Sequence, residues 1–149
     1  MTGLAFTIPG DPRGKGRPRA TVFKVGGHHS ARMFTDSKTA SYENLVKLAA
    51  SRALGDRAPL DVPLTVVVTV RMTPAASSSA KKRAAMLSGA IAPTKLPDLD
   101  NVVKAVLDGC NKVAFRDDAL VVSLIARKQY AATPGVDVEI CPTILRKAA

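Results

Sequence analysis

A chain of 149 residues, 46% of them apolar, is long enough to bury the core of a single domain covering 1–149. Its 22 Lys and Arg outweigh 12 Asp and Glu, and the resulting net charge of +10 favours a polyanionic partner, most commonly nucleic acid. No apolar run reaches the roughly 18–20 residues of a membrane span, and the opening MTGLAFTIPGDP has no signal-peptide core, so a soluble cytoplasmic protein with no membrane partner is expected. Cys110 and Cys141 are too few and too far apart for a disulfide framework or a zinc site, and both are expected to be small core residues.

In chain order, Leu4–Ile8 alternates as a first strand and stops at Pro9-Gly10. The stretch DPRGKGRPRA follows, with Arg13, Lys15, Arg17 and Arg19 among Gly and Pro, and predicts an irregular basic arm able to grip phosphates. Val22–Val25 and Arg32–Thr35 predict a hairpin whose tip, GGHHSA, holds His28 and His29 in solvent. Helical spacing then runs from Asp36 or Ser37 to Leu54 and ends at Gly55. Asp61–Met72 alternates with β-branched residues on both faces, the pattern of a central strand. Ser77–Ser79 can cap a short helix, AKKRAAMLSG, whose Lys81, Lys82 and Arg83 form either a solvated face or a phosphate contact. After a further helix come the strands Ala119–Lys128 and Val136–Leu145. The order β-β-β-α-β-α-α-β-β predicts an α+β domain, a mixed sheet with about three helices packed on it.

Between 98 and 118 the charge balance reverses. Five acids (Asp98, Asp100, Asp108, Asp117, Asp118) face only Lys104, Lys112 and Arg116. Asp100 is placed to cap a helix whose Val102, Val103, Val106, Leu107, Cys110 and Val113 form one apolar face. Asp100, Lys104 and Asp108 recur every four residues and share a stripe, and Asp98 projects to the same side as Asp100. Packed carboxylates repel one another unless a cation neutralises them, and Mg²⁺ prefers a few oxygen ligands with room left for phosphate. Two bland alternatives stay open on these residues alone: caps and turns on a non-catalytic nucleic-acid-binding protein, or a metal-dependent nuclease of another substrate class. How Asp118 would reach the ion held by Asp98 is also open, unless a second subunit donates it.

The string DLDNVVKAVLDGCNKVAFRDDALV resembles the RusA family of Holliday-junction resolvases, with its D-x-D-N-x-x-K, helix and later D-D. GDPRGKGRPR is similar to the family's basic opening. The resemblance implies a Mg²⁺-dependent homodimer, with Mn²⁺ able to substitute, that nicks four-way DNA junctions symmetrically in a bacterial or phage-infected cell. It implies Asp98, Asp100 and Asp118 as metal-binding catalytic carboxylates and Lys104 as the catalytic or phosphate-contacting lysine. Arg13, Lys15, Arg17 and Arg19, with Lys81, Lys82 and Arg83, would grip the DNA.

Overall fold

A computed structural model describes residues 2–16, 19–34 and 37–149, the side chains of Arg19 and Phe34 excepted. The predicted end of the second hairpin strand at Thr35, the alternative helix start at Asp36 and the DNA-contact candidate Arg17 lie outside the described residues. The elements are β1 (Leu4–Pro9), β2 (Arg19–Val25), β3 (His28–Phe34), α1 (Ser37–Leu54), β4 (Leu64–Met72), α2 (Ala80–Leu87), α3 (Leu99–Cys110), β5 (Val121–Tyr130) and β6 (Gly135–Pro142). The fold is the α+β domain expected.

Four strands form one mixed sheet in the order β1-β6-β4-β5, antiparallel except for the parallel pair β4/β5. A parallel pair needs a long crossover, and the segment between β4 and β5 supplies it with α2 and α3. The alternation of β4 points Leu64, Val66, Val68 and Val70 into the core, where each is fully buried. Val136, Val138 and Ile140 of β6 and Leu4 and Ile8 of β1 extend the same face. The outward face of β6 carries Asp137, Glu139 and Cys141. Cys141 is therefore exposed, which corrects the expectation of a core thiol, whereas Cys110 is buried. Burial pushes the Cys110 thiol up to about 12, as expected for an inert core residue.

The helices α1 and α3 cover the inner face. Val102, Val103 and Val106 of α3 meet the sheet, and Gly109 lets α3 approach α1 closely. A Cβ placed on Gly109 would stand 2.6 Å from the Cβ of Val46. The hairpin β2/β3 is a separate two-stranded sheet. Its strands are longer than expected, so Arg19 begins a strand and the basic stretch is not irregular throughout; His28 and His29 stand in β3, paired with Val25 and Lys24.

The Gly109 contact gives a test with a reversed sign. In an ordinary helix interior, Gly→Ala gains about 0.5–1 kcal/mol. Here Gly109→Ala drives a methyl into Val46 and is expected to cost about 1–3 kcal/mol, measured by urea unfolding.

Candidate nuclease site on helix α3

The burial of its valine face sets how α3 is turned, and that leaves Asp100 and Lys104 exposed on the opposite side. The helix begins two residues earlier than predicted. Asp98, in extended conformation (φ −67°, ψ 139°), is the N-cap, and Asp100 lies in the first turn. The reason is that Leu99 is already helical. Asp98 makes no side-chain capping bond, so its carboxylate is not consumed by the helix end. The positive end of the helix dipole favours two negative charges there.

Two contacts hold this end of the helix in place. On one side the basic arm packs against it: the Lys15 amide donates to the Asn101 carbonyl at 3.0 Å. Gly14 is so close that a Cβ would stand 2.9 Å from the Asn101 Cβ. On the other side the Lys128 ammonium, projecting from β5, donates to the Lys95 and Pro97 carbonyls at 2.7 and 3.1 Å. Those carbonyls belong to the turn that delivers Asp98. Nothing in the sequence marks Lys128 for this task, because the partners are more than thirty residues apart.

The candidate DNA-contacting cations divide. Lys15 pairs with Asp108 and, at 3.5 Å, with Glu43, and its hydrogen bond to Asp108 holds its pKa above the usual lysine value. Its charge is spent within the fold, and Asp108 pairs with it rather than with Lys104. Arg13, Lys81, Lys82 and Arg83 are exposed. Lys82 and Lys95 line one cleft of about 430 Å³ beside the turn that leads to Asp98.

Asp118 sits at the other end of α3. The bridge between Leu60 and Phe115, with the Arg116 amide donating to the Leu60 carbonyl at 2.9 Å, turns the chain back toward β5. Asp117 then caps a single 3₁₀ turn, Asp118–Leu120, by accepting from the Ala119 amide at 2.9 Å. That bond, with help from the Lys112 ammonium, holds the Asp117 carboxyl below the usual range. The Asp118 amide donates to the Asn111 side chain at 3.1 Å, just past the last turn of α3. Asn111 follows Leu99 by twelve residues, about 18 Å along a helix.

A groove of about 720 Å³ runs along α3 and β5. Leu99, Val103, Leu107, Leu124 and Ala126 form its apolar floor, and Asp100, Lys104, Asp108 and Asp118 its polar rim. Asp100 is therefore near one end and Asp118 near the other. Among the described residues, no three His, Cys, Asp or Glu side chains stand close enough to hold a metal ion.

The model of the family described as Endodeoxyribonuclease RusA matches residues 9–141. The chain belongs to the RusA family. It is also 34% identical over 141 residues to the uncharacterized protein YqaN of Bacillus subtilis (strain 168), covering 94% of this chain and 96% of that protein. The RusA match takes in the basic arm, the α3 acids and β5 together, so the pinned helix end and the groove both fall within the family's domain. Among the described residues, no helix is long and apolar enough to cross a membrane.

The Lys128 clamp is testable without any assumption about activity. Lys128→Met removes the ammonium but keeps most of the stem. Hydrogen exchange of the first bonded amides of α3, Val102 and Val103, is expected to rise about tenfold, with α1 unaffected, because a lost charge-assisted contact lowers the cost of local opening.

Proposed function

We propose that this chain is a divalent-metal-dependent endodeoxyribonuclease that resolves four-way DNA junctions as a homodimer, in recombination and repair within a bacterial or phage-infected cell. The observation that carries the reading is the pair of Asp98 and Asp100, two carboxylates without partners among the described residues at a doubly pinned helix end, in a RusA-family chain of net charge +10. Carboxylates left free in a basic protein are poor for DNA binding, since they repel phosphate, and are suited to a cation.

The donor chemistry fits Mg²⁺, with Mn²⁺ able to substitute, because both take carboxylate oxygens. The spread of the acids within one chain does not fit a three-carboxylate site. Mg²⁺ ligands stand about 2.0–2.1 Å from the ion, whereas Asp118 lies at the far end of α3 from Asp98. A two-fold dimer removes the discrepancy. If the groove pairs with its own copy antiparallel across a two-fold axis, an isologous contact brings Asp118 of the partner subunit to Asp98 and Asp100, and the reverse at the second site. The groove's apolar floor supports that pairing, as do the exposed Val122, Leu124 and Ile125 on the edge strand β5.

Bound there, Mg²⁺ supplies polarisation of the scissile phosphate and a more acidic attacking water. Asp98, Asp100 and the partner's Asp118 would hold it. Lys104, exposed and without a partner among the described residues, would set its ammonium against the charge that builds on the phosphate oxygens. The Gly14–Lys15 backbone and Lys128 keep the two acids in position. Two sites related by symmetry match the two opposed strands of a junction.

Cleavage of a synthetic four-way junction tests the reading, with flap, duplex and RNA substrates alongside. Wild type is expected to make paired nicks with Mg²⁺ or Mn²⁺ and none with chelator. Asp100→Asn is expected to lose at least about 10²-fold in rate, the scale of a lost transition-state electrostatic contact, while binding the junction as tightly or more tightly. Junction binding with no divalent-dependent cut by wild type would return the chain to a non-catalytic DNA-binding role, and equal rates on all four substrates would remove junction selectivity.

A further inference from the structure

We propose that the β2/β3 hairpin is a DNA-binding ribbon that lies in the groove of the duplex arm beside the cleavage site. The proposal rests on the nuclease reading above and extends it to a surface that reading does not use.

Three observations carry it. First, the hairpin is not part of the domain's core. Among the described residues its strands pair only with each other, and every one from Ala20 to Met33 is exposed. Val22, Val25 and Met33 are each more than 60% exposed, and Phe23 is 41% exposed. A lone two-stranded hairpin is marginal in water, and apolar side chains left on one call for a partner. Secondly, the partner's charge is written in the flanks. From Pro12 to Thr35 the chain holds no acid, and besides Lys15, which is paired with Asp108, it holds five cations (Arg13, Arg17, Arg19, Lys24, Arg32). A second copy of a chain with net charge +10 offers poor electrostatic complement to such a ribbon; a polyanion offers a good one.

Thirdly, the ribbon starts at the site. Its root follows Lys15, whose amide is bonded to Asn101 next to Asp98 and Asp100. Seven residues per strand reach about 23 Å at the usual strand rise, comparable to the breadth of a duplex. A major groove of roughly 12 Å admits a two-stranded ribbon. The register puts Val22 opposite Ala31 and Lys24 opposite His29 on one face, and Phe23 opposite Ser30 and Val25 opposite His28 on the other. Each face thus combines apolar side chains, suited to sugar and thymine-methyl surfaces, with groups that can meet phosphate.

Binding to a labelled four-way junction in chelator, read by anisotropy across a salt series, is the test. The triple variant Val22→Ser, Phe23→Ser, Val25→Ser is expected to bind about tenfold more weakly, since it withdraws three apolar contacts from the groove, while its thermal unfolding stays at the wild-type midpoint. Lys24→Ala is expected to lower the slope of log affinity against log salt by about one phosphate contact. Wild-type affinity and slope in both variants would overturn the ribbon, and so would a change in oligomeric state on sedimentation, which would make the hairpin a contact between copies. Failure of wild type itself to bind any DNA would instead strike the nuclease reading on which the ribbon rests.

Discussion

How α3 is turned about its own axis governs the rest of the molecule. Val102, Val103 and Val106 must face the sheet, and Gly109 must face Val46, because no larger group fits at that crossing. With those positions set, 3.6-residue periodicity leaves Asp100 and Lys104 no choice but the outside. One helix therefore closes the core and presents the charge. The same packing brings the N-terminal end of α3 against the basic arm and the Lys128 clamp, so the acids stand on a support and not on a free loop.

The other consequence lies at the sheet edge. β5 follows α3 by a crossover and joins the sheet as an edge strand, parallel to β4. α3 covers it incompletely, so Leu124 remains 46% exposed although it belongs to the groove floor. An edge strand with exposed aliphatic residues is a hazard in a monomer. In a two-fold dimer it becomes an interface. On the proposed dimer, the separation of Asp118 from Asp98 and the bareness of β5 would have one explanation, since a pairing that covered the strand would also bring the carboxylates together.

Much of this was legible in the sequence, and the gaps have physical causes. The order of elements follows from local periodicity, above all the β-branched alternation of β4 and the valine face of α3. The capping of α2 by Ser79 was equally local. What periodicity does not carry is contact between distant segments. Lys15 reads as one more cation of a basic arm, yet its partner Asp108 lies 93 residues away. Lys128 reads as the polar end of a strand, and its grip on the turn before Asp98 depends on tertiary packing alone. Cys141 fails for a different reason: alternation says that it opposes Ile140, but not which of the two faces the helices cover. The shift of the helix cap from Asp100 to Asp98 is a boundary of two residues, where local signals are weakest.

Mixing two inactive variants probes the shared site most directly. Asp100→Asn and Asp118→Asn, each without activity as a homodimer, are to be co-refolded and assayed on a supercoiled cruciform plasmid. If each site takes Asp118 from the partner subunit, a mixed dimer contains one doubly substituted site and one intact site. About half of the dimers are then mixed and about a quarter of all sites restored, and the plasmid is nicked in one strand without paired cuts. No recovery in a mixture shown to contain mixed dimers would contradict a site built across two subunits.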